Sequence, residues 1–379
     1  MAVEADIAVW PDRAGGLTNE WYVDADHFRR EMAGVFGSGW ACAGVGAEIP
    51  EAGDVFPTTV AGQPVLLVRD KQGEIRAFHN VCRHRGILLM EAPARRQAAI
   101  RCPYHSWTYG LDGRLVRTPE VGGPGVGEAD DIDRTALGLL PIRVETWLDF
   151  IFVNLSCEAS ALNDLIDPLV KRWAAYDLSL LKHGGTRSYD LAANWKLAIE
   201  NYLESYHLPW IHPGLNSYSP LELHGYETIS PRIFGPYSEA YKADTVDDRT
   251  LPHFPGLPEV VAPRGEYPLV FPNLLVGIQR DHLFGIIIEP RNHARTIERL
   301  HVYPVDDGTP ETPERTQALD AMMVGWDAIF LEDIGIVERM QTGRSADAFD
   351  GGVLTQFHDR CTARFMDLVA DSTPVTPPR

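Results

Sequence analysis

The sequence predicts an α+β protein built from two units, and three observations support this. Residues 40–155 contain short alternating or apolar runs separated by turn residues, which is typical of an all-β module. Beyond Ser156 the pattern changes to helical stretches followed by strand-like runs, as a unit with helices and an antiparallel sheet requires. A long helical pattern then begins near Thr312 and ends at Gly343.

The all-β module is indicated by four runs with strand composition, at residues 64–68, 75–78, 142–144 and 150–153. The turns between them are rich in glycine and aspartate, as at residues 70–73 and 111–113. We therefore place this module at residues 40–155. Residues 1–39 are expected to form a helical segment that packs on the second unit.

The second unit, at residues 156–371, is predicted to combine helices and strands. Helices are expected at residues 164–176 and 195–206, where Pro209 limits further extension. Strands are expected at residues 269–278, 282–289 and 296–303. Thr312 is a good N-cap for the last helix because Pro313 follows at the first helical position. Residues 372–379 are expected to be a flexible tail.

Composition excludes several classes of protein. With 45% hydrophobic and 23% charged residues, the chain of 379 residues is expected to be soluble and globular. Its net charge of −19 opposes binding to nucleic acid or to an anionic membrane, so neither is an expected partner. The N-terminus lacks the basic start and apolar block of a signal peptide, which favours a cytoplasmic location. Five cysteines in so long a chain argue against a disulfide framework.

Two short Cys/His pairs form the first candidate site. Cys82-Arg-His84 and Cys102-Pro-Tyr-His105 are separated by 17 residues. Two thiolates and two imidazoles suit either zinc or a 2Fe-2S cluster. Each cysteine here has its own histidine, which favours a cluster in which one iron takes both cysteines and the other both histidines. A structural zinc site and ordinary core residues are the alternatives.

Two histidines and a distant carboxylate form the second candidate site. On the predicted helix Glu204 and His207 would share a face, and His212 follows on an irregular segment that can fold back. Asp333 falls in an apolar stripe of the last helix, where a carboxylate is expensive to bury unless it is paired or binds a metal. Glu332 points about a quarter-turn away and is a poorer ligand. Satisfied core histidines, and an aspartate that caps a helix or pairs with an arginine, are the alternatives.

The residues around both sites resemble one family, the bacterial Rieske-type ring-hydroxylating oxygenases, over most of the chain from Trp40 to Gly343. Asn80-Val-Cys-Arg-His-Arg-Gly86 and Cys102-Pro-Tyr-His-Ser-Trp107 are similar to its cluster motif. The resemblance implies that Cys82 and Cys102 hold one iron and that His84 and His105 hold the other. It also implies a Rieske β domain followed by a helix-grip catalytic domain, usually in rings of three subunits.

The iron motif of the same family is similar to Asn194-Trp-Lys, Glu200-Asn201, Tyr206-His-x4-His and Leu331-Glu-Asp in this chain. By this resemblance His207, His212 and Asp333 bind a mononuclear Fe(II), and Asn201 belongs to the catalytic motif. Dioxygen would be the co-substrate.

Glu204 occupies the position of a carboxylate that, in the family, links the first iron histidine to a Rieske histidine of the neighbouring subunit. Such a carboxylate can accept a hydrogen bond from each imidazole. Enzymes similar to naphthalene dioxygenase have Asp here, with one more residue between the Asn and the histidine. In this respect the chain is closer to carnitine and glycine-betaine type monooxygenases.

The resemblance implies a terminal oxygenase that hydroxylates a small organic molecule. A separate NAD(P)H-dependent flavin and iron-sulfur reductase would supply electrons, because the chain carries neither a flavin nor a nicotinamide fingerprint. Oxidative N-demethylation or monooxygenation of a methylated ammonium compound similar to betaine or carnitine is the favoured reaction. Its cation would bind an aromatic cage drawn from Tyr202, Tyr206, Trp210, Tyr218 and Phe271.

Two alternatives remain from the sequence. The first is hydroxylation of an aromatic acid or another arene, for which Arg280, Arg291 and Arg295 are candidate clamps of an acid group. The second is an electron carrier or a zinc-stabilised binding module with a vestigial iron site. The remaining cysteines, Cys42, Cys157 and Cys361, are assigned no role beyond packing.

Overall fold

The computed structural model describes residues 14–130, 132–241, 251–310 and 312–375. Within them, residues 36–162 form one unit, which we call the β module, and residues 14–35 join residues 163–375 in an α+β unit. The predicted fold class, an all-β module before a unit of helices and antiparallel sheet, is confirmed. Residues 1–13 of the predicted helical segment and residues 376–379 of the predicted tail lie outside the described residues.

The β module is built from short strands. They are β1 (Ala41–Val45), β2 (Val55–Val60), β3 (Gln63–Arg69), β4 (Ile75–His79), β5 (Ile100–Arg101), β6 (Thr108–Tyr109), β7 (Leu115–Arg117), β8 (Pro141–Trp147) and β9 (Phe150–Asn154). An antiparallel sheet has the order β1-β9-β8-β4-β3-β2, and a smaller sheet has the order β5-β6-β7. The four predicted runs lie within β3, β4, β8 and β9. The other strands were not predicted, and several of them are only two or three residues long.

The core of the β module explains where its cysteines lie. Alternation along β3 places Leu66 and Val68 on one face. They pack in one buried cluster with Cys82, Cys102 and Trp107. Both thiols are therefore part of the apolar core.

The α+β unit contains helices and an antiparallel sheet. The helices are α1 (Glu20–Val23), α2 (Ala25–Glu31), α3 (Leu162–Arg172), α4 (Trp195–Tyr202), α5 (Leu208–Ile211), α6 (Pro213–Tyr218), α7 (Pro313–Gly343) and α8 (Arg360–Ser372). The strands are β10 (Gly185–Leu191), β11 (His224–Ser230), β12 (Ile233–Ser238), β13 (Gly265–Glu266), β14 (Leu269–Val270), β15 (Leu274–Ile278), β16 (His282–Asn292) and β17 (Arg295–Pro304). The sheet has the order β10-β17-β16-β15-β13-β12-β11, and β14 pairs with β12 and β15.

Helix α7 begins and ends where the sequence predicts. The Thr312 hydroxyl accepts a hydrogen bond from the backbone N–H of Arg315 at 3.3 Å, and Pro313 occupies the first turn. The helix runs 31 residues to Gly343. Among the described helices, α7 included, none combines the length and the apolar composition that a membrane span requires.

Helices α3 and α4 end earlier than predicted, and other parts of the α+β unit also differ from the sequence-based expectation. The run at 269–278 is not one strand, because the chain turns at Phe271-Pro272 and β14 pairs back on β15. Helix α8 was not predicted, although its buried residues recur with helical spacing at Cys361, Phe365, Met366 and Val369.

A buried polar network anchors α4 to the N-terminal helices. The Lys196 ammonium contacts both oxygens of the Glu31 carboxylate, at 2.6 and 2.8 Å, and both side chains are fully buried. One turn further along α4, Glu200 accepts a hydrogen bond from the Tyr22 hydroxyl at 2.6 Å. Burial raises the pKa of Glu200 to about 7. Because an unpaired charge here would be costly, these contacts fix the position of α4.

We predict that Lys196→Met destabilises the protein by about 3 kcal/mol or more, because it leaves the buried Glu31 carboxylate without its cation. Denaturant-induced unfolding monitored by tryptophan fluorescence measures the change. The double variant Glu31→Gln/Lys196→Met removes both charges and should recover a large part of the loss. If the single variant unfolds at the wild-type denaturant concentration, the ion pair does not anchor α4.

Candidate metal centres

The two Cys/His pairs occupy loops with matching backbone geometry. In one loop the N–H of Cys82 donates to the carbonyl of Ile87 at 2.9 Å, and in the other the N–H of Cys102 donates to Trp107 at 2.8 Å. In each loop the fourth residue after the cysteine has a left-handed backbone, at Gly86 (φ +72°) and at Ser106 (φ +59°). Two equivalent tight loops thus present one cysteine and one histidine each.

These loops bring the four predicted cluster residues together. The Cys82 sulfur is 3.3 Å from the Tyr109 hydroxyl oxygen, and Cys82 and Cys102 belong to the same buried cluster. Burial raises the pKa of the Cys102 thiol. The ring centroids of His84 and His105 are 4.7 Å apart, and both rings lie nearer the surface than the thiols. A buried thiol pair beside a more exposed imidazole pair fits the ligand set of a Rieske cluster.

The second site begins where α4 ends. We expected this helix to continue to residue 206, but it stops at Tyr202. The Glu204 carboxylate accepts hydrogen bonds from the backbone N–H groups of Tyr206 and of His207, the latter at 3.2 Å. In a continuing helix these N–H groups would bond to carbonyls four residues earlier. The carboxylate therefore competes with the helix, and Glu204 and His207 lie on a turn rather than on one helical face.

Glu204 also orients the first histidine. Its other oxygen, Oε1, lies 2.5 Å from Nδ1 of His207. A hydrogen bond at Nδ1 leaves Nε2 of the same ring as the free nitrogen, and Nε2 lies 3.9 Å from Oδ1 of Asp333. Nε2 of His207 is thus directed towards Asp333.

A second carboxylate does the same for the second histidine. Nδ1 of His212 lies 2.6 Å from Oε2 of Glu332, while its Nε2 lies 2.9 Å from Oδ1 of Asp333. Burial alone would lower the pKa of His212, but the hydrogen bonds and charges of Asp333 and Glu332 outweigh it and raise that pKa. Glu332 was set aside in the sequence analysis as a ligand, and the structure gives it a different contact, on the far side of the same ring.

The three predicted iron ligands therefore converge. One ligand atom each from His207, His212 and Asp333 lies within 4.8 Å of the others. Two imidazoles and a carboxylate are the donor set of mononuclear non-haem iron sites, and carboxylates on the opposite nitrogens are typical of metal-binding histidines. The residues fit a mononuclear iron centre.

The ligands lie beside a cavity of about 120 Å³ between the sheet, α4 and α7. Asn201 and Tyr202 of α4 line it, together with Glu204. The sheet contributes Leu191, Leu275, Phe284, Ile286 and Glu298, and α7 contributes Trp326, Ile329, Phe330, Ile334 and Val337. The lining is mostly apolar and aromatic, apart from the residues near the metal ligands and Glu298.

Most of the predicted aromatic cage lies elsewhere, which is a correction to the sequence-based proposal. Only Tyr202 lines the cavity. Tyr206 and Trp210 are exposed and pack against each other, and Phe271 is buried against Phe365. Tyr218 contacts the cavity indirectly, through the ring of Tyr241 at 5.7 Å. A short sequence interval around the metal motif does not determine which rings face the cavity.

The arginines considered as acid clamps are also absent from the described lining of this cavity. Arg295 pairs with Asp190 at 2.5 Å, and Arg291 pairs with Glu289 at 2.5 Å. Arg280 is not among the lining residues.

The other aromatic rings that line the cavity were not predicted. They are Tyr241, Tyr267, Phe284, Trp326 and Phe330. Trp326 and Phe330 lie seven and three residues before Asp333, so the helical face that carries Asp333 extends through them. No comparable local pattern marked Tyr241 or Tyr267.

Comparisons with known proteins agree with the two sites. The model of the ring hydroxylating alpha subunit catalytic domain matches residues 178–374, and the model of the Rieske 2Fe-2S domain matches residues 39–131. Together they cover the residues of both candidate metal centres.

Several similar proteins are monooxygenases or their oxygenase subunits, by their names. The glycine betaine monooxygenase oxygenase subunit of Pseudomonas aeruginosa is 37% identical over 211 residues, which are 56% of this chain and 48% of the relative. The match thus spans about half the length of that relative. Choline monooxygenase of Arabidopsis thaliana is 26% identical over 93% of this chain and 82% of its own length. A solved quaternary ammonium Rieske monooxygenase in complex with L-carnitine has the same fold, with a TM-score of 0.79, 22% identity and coverage of 99% of this chain and 100% of that one.

We predict that Asp333→Ala removes the mononuclear iron and leaves the cluster intact, because the substitution deletes one of three converging ligands. The wild-type chain should contain about three irons with two acid-labile sulfides, and the variant about two irons with the sulfide unchanged. Elemental analysis and a sulfide assay measure both. The matched control is Asp320→Ala, an exposed aspartate on the same helix, which should keep all the iron. An Asp333→Ala protein with full iron would exclude Asp333 as a ligand.

Glu332→Gln should lower iron content less than Asp333→Ala does in the same assay. It keeps the ligand set but weakens the hydrogen bond to Nδ1 of His212, so iron affinity should fall about 10- to 100-fold without complete loss.

Proposed function

This chain belongs to the ring hydroxylating alpha subunit family, and we propose that it is a terminal oxygenase that hydroxylates a methylated ammonium compound with dioxygen and reductase-supplied electrons. One observation carries the proposal: His207, His212 and Asp333 converge beside an aromatic cavity. An electron carrier or a zinc-stabilised module would not need this second site.

Two separate sets of residues in this chain would hold the two metal centres. Cys82, Cys102, His84 and His105 would hold the Rieske cluster, and the triad would hold the iron. When bound, the cluster supplies single electrons and the iron activates dioxygen. The apolar walls of the cavity keep bulk water from the reacting carbon of the substrate.

The carboxylates Glu204 and Glu332 would keep both metal-binding imidazoles in one tautomer. Each accepts a hydrogen bond at Nδ1, so that the Nε2 lone pair stays available for the metal. We further propose, by analogy with the family, that Glu204 links His207 to a Rieske histidine of a neighbouring subunit in a homotrimer. A separate NAD(P)H-dependent flavin and iron-sulfur reductase would be the electron donor.

The substrate class rests on two lines of support. The relatives act, by their names, on glycine betaine, choline and carnitine, which share a trimethylammonium group. Aromatic faces attract such cations, and six aromatic residues line the cavity. These relatives favour an ammonium compound over the arene alternative. Hydroxylation of an N-methyl group would give a hemiaminal, which breaks down to formaldehyde, a proton and the demethylated amine.

We predict oxygen consumption and stoichiometric formaldehyde release when the protein, a surrogate reductase and NADH are given a trimethylammonium substrate. Glycine betaine, choline and L-carnitine should be tested separately, with naphthalene and benzoate as arene comparisons. An oxygen electrode and a formaldehyde assay provide the readouts. A hydroxylated arene formed without formaldehyde from any ammonium compound would contradict the proposal.

We predict that Glu204→Gln, saturated with Fe(II) to offset its weaker hydrogen bond to Nδ1 of His207, keeps all the iron and sulfide but loses turnover at least about 100-fold, because an amide has one acceptor oxygen where the carboxylate has two. Stopped-flow reduction and reoxidation of the cluster locate the defect in electron transfer. Glu222→Gln, on an exposed glutamate of the same segment, is the control and should turn over normally. Wild-type turnover by Glu204→Gln would rule out the bridging role.

A further inference from the structure

One lining residue of the cavity has no role in metal binding or in the histidine contacts. Glu298 lies on β17, directly opposite Tyr189 of β10 and Ile288 of β16. Directly opposite residues in an antiparallel pair share a face of the sheet. The Tyr189 ring stacks on Phe330 of α7 at 4.8 Å, so this face is the one that packs towards α7 and the cavity. The Glu298 side chain therefore faces the cavity.

Glu298 is only 7% exposed, and no described residue forms a hydrogen bond or an ion pair with its carboxylate. Burial, followed by the nearby charge of Asp333, raises its pKa to about 8, so a neighbouring cation is needed to keep the group ionised at neutral pH. A buried carboxylate without a partner is expensive, so its presence at this position needs an explanation.

The other buried glutamates of the α+β unit provide a comparison, because the hydrogen-bond donors to their carboxylates can be named. Each of them has a donor within 3 Å: Glu31 with Lys196, Glu200 with Tyr22, Glu266 with Arg172 and Glu289 with Arg291. Glu298 differs from all four, because its carboxylate faces a cavity instead of a side chain of the protein. The cavity leaves room for a partner from outside the chain to bind beside Glu298.

We propose that Glu298 is the anionic group that binds the positively charged ammonium of the substrate. This inference rests on the proposed function, in which the substrate carries such a cation. A quaternary ammonium has no N–H to donate, so its attraction to a carboxylate is purely electrostatic and is strong in an apolar cavity. The rings of Phe330, Trp326 and Phe284 border the same space and supply further favourable contacts for the cation.

The test is equilibrium binding by calorimetry to the metal-loaded oxygenase without reductase, so that no turnover occurs. The probes are choline, glycine betaine and L-carnitine, together with the uncharged isostere of choline in which a tert-butyl group replaces trimethylammonium. The wild-type protein should bind the best cation at least about tenfold more tightly than the isostere. Glu298→Gln should lose that preference through weaker cation binding, and Glu298→Asp should retain part of it.

Two further variants separate recognition from packing. Ile288→Val alters the neighbouring strand without changing charge and should bind cations as the wild type does. Glu298→Met fills a similar volume without a polar atom, so it should unfold at a temperature at least as high as the wild type while losing the preference for the cation. It also serves as the second neutral variant if Glu298→Gln does not fold.

The outcomes distinguish the two proposals. If the wild type binds cations and the neutral variants bind them equally well, Glu298 is not the cation-binding group and the proposed function stands. If the wild type binds none of the ammonium compounds, the proposed substrate class fails. Loss of binding of the cation and the isostere alike, in both neutral variants, would indicate a packing role and would overturn the inference.

Discussion

The concentration of negative charge beside an apolar cavity is the constraint on which this site depends. Glu204, Glu298 and Asp333 all line a space whose other walls are largely aliphatic and aromatic. Carboxylates in such surroundings repel one another and lose hydration, so the arrangement requires compensation by positive charge or by hydrogen-bond donors. Glu204 finds backbone N–H groups and an imidazole within the chain. The proposed iron would balance Asp333, and the proposed substrate cation would balance Glu298.

The carboxylates keep these positions because the helices that carry or precede them are fixed to one another. Asn194 caps α4 and donates from its amide to the carbonyls of Tyr22 and His293, and its backbone N–H donates to Gln341 of α7. The beginning of α4, the N-terminal helices and the end of α7 are thereby joined in the same unit. The Lys196–Glu31 pair adds a contact that cannot shift without exposing a buried charge. The helices that position Glu204 and Asp333 are thus tied to each other at a distance from the metal ligands.

The sequence was most informative where local spacing decides the structure. Helix α7 has its Thr312 cap and ends at Gly343 as predicted, and the candidate iron ligands, chosen from short motifs and one apolar stripe, lie together. Local spacing did not predict the end of α4, because a side chain competes there with the helical hydrogen bonds. The Glu204 carboxylate accepts hydrogen bonds from the N–H groups that would otherwise extend the helix. The contact of Glu332 with His212 was not predicted, because an imidazole has two nitrogens and adjacent residues on α7 contact opposite sides of that ring. The cavity lining depends on strand pairing across more than a hundred residues, as between Tyr189 and Glu298, and no local pattern encodes that register.

The carboxylate of Glu204 serves the backbone and the imidazole at once, which restricts how this segment can change during evolution. The Glu204 carboxylate accepts hydrogen bonds from the backbone N–H groups of the second and third residues after it, and it also contacts Nδ1 of His207. A shortened side chain or a lengthened loop alone would disturb both contacts together. A substitution at Glu204 therefore changes the end of α4 and the orientation of His207 at once, so a requirement on either one limits the other.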